Sequence, residues 1–152
     1  MTHHDEKPFP TRVLVADGNQ SVRDHMEAVL ERLGIETMLV ADAVGFVSAL
    51  ATDQFSIVFL DDSLPGEDPG NLVERVEQFR PDLPVVMMTS CPSIDGAVNA
   101  LRYGVCDFLV KPFSLEDLES AIERAERRMR RFAQQSVVDV SVFSNQEPDS
   151  GR

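Results

Sequence analysis

Five short apolar runs alternate along the chain with five stretches in which apolar residues recur every three or four positions. The runs cover residues 12–17, 36–40, 56–61, 84–89 and 105–110. A near-continuous apolar run is what a strand buried on both faces of a parallel sheet requires. The intervening stretches keep helical spacing: Val22, Met26, Val29, Leu30 and Leu33 in 21–33; Val44, Val47, Leu50 and Ala51 in 43–53; Leu72, Val73, Val76 and Phe79 in 71–79; Ile94, Ala97, Val98 and Leu101 in 94–103. Gly34 supplies a left-handed stop after the first of these. A last helix opens at Ser114, with Asp117 three residues on in the manner of a capping box. Leu115, Leu118, Ala121, Ile122, Ala125, Met129 and Phe132 are expected to line its buried face. Strict β–α alternation predicts an α/β fold, a parallel sheet with helices on both sides.

Residues 1–10 read as an N-terminal tail, 11–132 as one domain and 133–152 as a C-terminal tail or linker without helical period. Within that last piece Val137–Phe143 looks locally β-like. The length, 152 residues, and an apolar content of 43 % suit one domain with an ordinary core. No apolar run approaches the ~18 residues of a membrane span, and Met1–Pro10 does not resemble a leader peptide. Cys91 and Cys106 lack metal-ligand spacing and read as reduced thiols, so a cytoplasmic setting is expected. The formal charge of −12, from 26 acids against 14 bases, excludes nucleic-acid binding by the whole surface.

Candidate chemistry sits where the apolar runs stop. Open parallel sheets place ligands beyond the carboxyl ends of their strands. Asp17 ends the first run, Asp61 the third, and Lys111 follows the fifth. Two acids and a lysine at one sheet edge make a pocket that binds a cation and handles an anion, so phosphate chemistry is the first expectation. Plainer readings stand beside it. Asp17 also suits a turn or helix cap, Lys111 before Pro112 a solvated loop, Thr89 a β-branched strand position, and Phe108 simple core packing.

In combination these residues resemble the receiver domain of bacterial two-component response regulators. The resemblance covers about residues 11–130. It rests on Asp17, on Leu60-Asp61-Asp62-Ser63-Leu64-Pro65-Gly66, on Thr89-Ser90, and on Phe108-Leu109-Val110-Lys111-Pro112-Phe113, in that order. It implies a flavodoxin-like (βα)5 three-layer sandwich with strand order 2-1-3-4-5. It also implies that Asp61 accepts a phosphoryl group from a histidine kinase in a phosphorelay. The implied Mg2+ ligands are Asp17, Asp61 and the backbone carbonyl of Ser63. Lys111 would pair with the phosphoryl oxygens, and Thr89 and Phe108 would form the switch. The implied protein is a phosphoacceptor that assists its own phosphotransfer and dephosphorylation, rather than an enzyme acting on other molecules. Its implied partners are a sensor histidine kinase or phosphotransfer protein and a downstream protein docking on residues 94–130. No direct DNA binding and no membrane contact are expected, and a homodimer is allowed.

The chain also departs from the family pattern. Where the family carries a second acid after the first strand, Gly18 stands, followed by Asn19. One carboxylate fewer predicts weak Mg2+ binding, because hard cations are held by charge and oxygen number. Asn19 or water is the expected substitute. Pro69 replaces a family glycine in what reads as a loop. The last helix carries Glu116, Asp117, Glu119 and Glu123 first and Arg124, Arg127, Arg128, Arg130 and Arg131 last, which complements the helix dipole; a basic docking surface is the alternative. Two other functions remain open at this point. One is a pseudo-receiver that signals without phosphate, which Gly18 favours. The other is a receiver belonging to a larger regulator or hybrid kinase, which a continued last helix would favour.

Overall fold

Val13 and Val15 face one side of the sheet, and Leu14 and Ala16 the other, so the first strand feeds two separate cores. This is the period-2 consequence of an extended backbone. The computed structural model describes residues 12–146. The expected N-terminal tail, 1–10, therefore lies outside the described residues.

The strands are β1 (Arg12–Ala16), β2 (Glu36–Val40), β3 (Ile57–Asp61), β4 (Val85–Thr89) and β5 (Asp107–Val110). The helices are α1 (Gln20–Arg32), α2 (Ala43–Thr52), α3 (Pro69–Phe79), α4 (Ile94–Tyr103) and α5 (Leu115–Gln146). All strand pairs are parallel, in the order β2-β1-β3-β4-β5. This is the expected flavodoxin-like arrangement. One core joins Val13, Val15, Ile57, Phe59, Val86 and Met88 to Met26 and Leu30 of α1 and to Leu118, Ala121, Ile122 and Ala125 of α5. The other joins Leu14, Ala16, Val58, Leu60 and Met87 to Phe46 of α2, to Leu72, Val73 and Val76 of α3, and to Ala100 of α4. β3 and β4 are buried at every position, which is why they read as unbroken apolar runs.

Two helices, α2 and α4, turn a different face inward than their apolar pattern predicts. In α2, Ala43, Phe46 and Ala49 are buried, while Val44 is 77 % exposed. In α3, Leu72, Val73 and Val76 are buried as expected and only Phe79, at the helix end, is exposed. In α5 the expected buried face holds at Leu118, Ala121, Ile122 and Ala125, while Leu115 and Phe132 are exposed. In α4 only Ala100 is buried, and Ile94, Val98 and Leu101 all lie on the surface. In α4 the inward position is an alanine, which lets the helix lie close, and its larger apolar side chains end outside. Pro69 is not a loop residue. It opens α3 behind the N-cap Asp68, a position where a missing N–H costs nothing.

Capping follows the sequence closely. Ser114 Oγ accepts from Asp117 N–H at 3.0 Å, and Asp117 returns the bond to Ser114 N–H at 3.2 Å, completing the capping box with aspartate. Gly34 (φ +77°) follows α1 as the left-handed stop. The expectation that residues beyond 133 lack helix is corrected, because α5 runs to Gln146 and includes Val137–Phe143. An established helix propagates more easily than a new strand nucleates, and that overrides local β preference.

Candidate functional site

The parallel register brings three strand ends together. Asp17 follows β1 and ties its N–H to Val40 O at 3.1 Å. Asp61 closes β3 opposite Met88 of β4, and Asp62 N–H continues the ladder to Met88 O at 2.9 Å. Thr89 closes β4 opposite Val110, and Lys111 N–H bonds Thr89 O at 2.8 Å. The Lys111–Pro112 peptide is cis.

Lys111 Nζ donates to Asp17 Oδ2 at 2.5 Å and to Asp61 Oδ1 at 3.1 Å. The ammonium is 15 % exposed and the two carboxylates 1 % and 9 %. Asp17 is held on all sides: Oδ1 accepts Asn19 N–H at 2.9 Å, and its carbonyl accepts Arg23 Nη1–H at 2.8 Å. Burial pushes the Asp61 carboxyl above its ordinary range, and the Asp17 charge adds to that; the Lys111 bond and the Ser63 backbone pull the other way without cancelling it. Burial also opposes the charge on Lys111, but its bonds to Asp17 and Asp61 outweigh that and raise it above its usual value.

Thr89 is buried, and its Oγ1 accepts Cys91 N–H at 3.1 Å, which ties the end of β4 to the loop before α4. Phe108 is half-buried against the α3-side core. Thr89 and Phe108 line one cavity of about 440 Å³ together with Tyr103, Gly70 and Met87. The five anticipated side chains thus fall into two groups: Asp17, Asp61 and Lys111 in direct contact, and Thr89 and Phe108 around the adjoining cavity.

The residues suit a hard divalent cation. Two carboxylates face one point. The Ser63 carbonyl accepts no backbone hydrogen bond among the described residues. A cation that keeps several waters needs only one or two carboxylates. No cluster of three or more His, Cys, Asp or Glu that could hold a metal occurs among the described residues. Asn19 does not fill that gap. Its Oδ1 accepts Ser21 N–H at 2.8 Å and Val22 N–H at 3.4 Å as the N-cap of α1. The space is also narrow, since a Cβ at position 18 would lie 3.0 Å from Pro65 Cδ.

Arg23 was not anticipated from the sequence. Its contact is to a backbone carbonyl six residues back, and no side-chain pairing signals it; the N-cap at Asn19 was available from its place before a helix. Cys106 precedes β5, and burial pushes its thiol up to about 11. Such a group stays protonated and unreactive.

The chain matches the family described as the response regulator receiver domain over residues 13–123. The DNA-binding transcriptional regulator NtrC of Azospirillum brasilense is 33 % identical over 113 residues, covering 74 % of this chain and 24 % of that protein. The response regulator protein PilR of Pseudomonas aeruginosa is 29 % identical over 137 residues, covering 90 % of this chain and 31 % of that protein. The chain therefore spans about a quarter to a third of the length of these relatives. Among solved structures, the receiver domain of NtrX from Brucella abortus superposes with a TM-score of 0.70 at 36 % identity, over 74 % of this chain and 96 % of that one.

Proposed function

The chain belongs to the response regulator receiver domain family, a family of signalling domains, and we propose that Asp61 is its phosphoacceptor. The observation that carries this reading is the shared ammonium: Lys111 bonds both Asp17 and Asp61 at the carboxyl edge of the sheet. An Asp61 carboxylate oxygen attacks phosphorus, the P–N bond of a phosphohistidine breaks, and the histidine nitrogen leaves with its electron pair. Lys111 then exchanges a carboxylate oxygen for a phosphoryl oxygen as a point charge. Asp17 stays in place through Asn19 and Arg23 and keeps a negative charge beside the reacting group. Thr89 turns its hydroxyl to the phosphoryl group, and Phe108 moves in the cavity that both line.

Asp17, Asp61 and the Ser63 carbonyl would hold Mg2+. When bound, it neutralises the repulsion between the carboxylate and an anionic phosphoryl donor. Weak binding is expected, because position 18 contributes no oxygen and Asn19 is engaged as a cap.

The partners in this reading are a histidine kinase or phosphotransfer protein and a downstream protein that meets residues 94–130. The exposed Ile94, Val98 and Leu101 support that surface. Relatives such as NtrC are named as DNA-binding. The match covers a fraction of their length, and this acidic stretch contacts protein rather than DNA in our reading. No helix among the described residues is long and apolar enough to cross a membrane. The receiver body is 11–132. The helical continuation of α5 supports residues 133–152 as a linker, within a larger regulator or towards a second copy.

A pseudo-receiver is the competing reading, and the closed space at Gly18 favours it. Intact mass separates the two. After incubation with acetyl phosphate and Mg2+, one phosphoryl group should be gained, and Asp61→Asn should gain none. No gain in the parent protein supports the pseudo-receiver.

A further inference from the structure

The ring of Tyr103 packs against Gly70 with part of the side chain left exposed. A Cβ at position 70 would fall 2.5 Å from both Cε2 and Cζ of the tyrosine, so the ring occupies the place a side chain would need. Gly70 is the second residue of α3, and its N–H is fixed by Asp68 Oδ2 at 3.1 Å. Tyr103 is the last residue of α4. The next residue repeats the arrangement. Gly104 (φ +111°) closes α4, and a Cβ there would lie 2.7 Å from Glu77 Oε2 of α3. The C-terminal end of α4 is thus fitted onto α3 at two glycines.

Little else holds α4. Ala100 is its one buried residue, and Ile94, Val98 and Leu101 lie on the surface. At the other end, the loop entering α4 is tied to the sheet through Cys91 N–H on Thr89 Oγ1. The two ends differ in kind. The N-terminal tie is a single hydrogen bond to the Thr89 hydroxyl, at the end of the strand next to the one that Asp61 closes. The C-terminal tie is ring packing with no donor or acceptor in it. Both border the cavity that Phe108 lines. Drawing the Thr89 hydroxyl towards Asp61 strains the first tie and leaves the second untouched.

We propose that Tyr103 seated on Gly70 is the pivot of α4, about which its N-terminal end swings when Thr89 moves. Tyr103 is a positioning residue and has no part in the phosphotransfer itself. The swing rests on Asp61 accepting phosphate as proposed above; the seat does not.

Tyr103 is the only tyrosine and the chain has no tryptophan, so intrinsic fluorescence reports on this ring alone. Without phosphate, Tyr103→Ala should speed amide exchange over residues 94–103 by about tenfold, because local opening follows lost packing. Tyr103→Phe should match the parent protein, since the ring and not the hydroxyl makes the seat. Gly70→Leu should make the tyrosine more open to acrylamide quenching. Parent-like exchange in Tyr103→Ala would overturn the proposal. With acetyl phosphate and Mg2+, and one phosphoryl group confirmed by intact mass, exchange should change at the N-terminal half of α4 while quenching of Tyr103 stays as before. A large change in quenching in the phosphorylated protein would overturn the pivot and leave the acceptor reading standing. Absence of the mass gain would overturn the acceptor reading and the swing with it.

Discussion

Lys111 Nζ donates to Asp61 Oδ1 across 3.1 Å, joining the fifth strand's end to the third's at the carboxyl edge of the sheet. That bond works against the main influence on the acidity of the group proposed as the nucleophile. Burial raises the Asp61 carboxyl, and Lys111 restrains the rise. Only the ionised carboxylate attacks, so labelling by acetyl phosphate should fall as pH drops through the folded-state value, which lies above the ordinary 3.8. Lys111→Met removes both the bond and the charge. Its acid limb should move to higher pH, and its maximum rate should fall by about 10²-fold or more, the scale of losing one positioned charge. A rate–pH profile that superposes on the parent's would show that Lys111 does not act on Asp61.

The Gly18 position tests the metal reading. Gly18→Asp adds a carboxylate and should tighten Mg2+ binding. It should also destabilise the metal-free protein, for two reasons. The new Cβ meets Pro65 Cδ at 3.0 Å, and Pro65 is pinned by its carbonyl to Ala43 N–H at 2.8 Å. The new charge also joins Asp17 and Asp61. Thermal melts with and without Mg2+ should show a larger metal-induced rise in the variant than in the parent. Equal rises in the two proteins would mean that position 18 contributes no ligand.

Thr89→Ala should still accept phosphate, because the hydroxyl is not the nucleophile. It should lose the amide-exchange response over residues 94–103, since Cys91 N–H no longer has Thr89 Oγ1 to follow. Stability should fall by about 1 kcal/mol, the usual worth of one partly buried hydrogen bond. A parent-like exchange response in this variant contradicts the proposed path from Asp61 to α4.

At the opposite edge of the sheet, Arg12 Nη1 bonds Asp53 Oδ1 at 2.9 Å and stacks 5.3 Å from the Phe55 ring. The Arg12 bond holds the Asp53 carboxyl below its ordinary 3.8, with Thr52 helping. A carboxyl lowered in the folded state stabilises above its unfolded value and loses that contribution as pH falls through the folded one. Asp53→Asn should therefore be less stable than the parent near neutral pH, and the gap should close in strong acid. Denaturant melts at several pH values read this directly. A gap that is constant with pH would remove the ion pair from the account.

The sequence carried the strands and the edge residues further than it carried the helix faces. β3 and β4 are buried on both sides, so their apolar runs admit one interpretation, and the residues that end them follow from parallel topology. In α2 and α4 several apolar positions compete for one inward face, and periodicity cannot choose among them. In α2, Phe46 points inward with Ala43 and Ala49 beside it and Val44 is left outside; in α4 the small Ala100 takes the inward place and Ile94 and Leu101 are left outside. The Arg23 bond and the fit of Tyr103 on Gly70 have no local pattern to announce them, whereas the Asn19 cap follows from an asparagine standing just before a helix. The helix over 137–143 was missed because valine-rich sequence favours strand locally, while continuation from α5 needs no new nucleus.

The central claim is that Asp61, and no other acid at the edge, takes the phosphoryl group. An aspartyl phosphate is an acyl phosphate, and borohydride reduces it to the alcohol, turning the aspartate into homoserine at the position that was modified. The protein should be treated with acetyl phosphate and Mg2+, reduced, digested and sequenced by mass spectrometry. The account predicts homoserine at position 61. Homoserine at 62 or 17, or at no position, would contradict it.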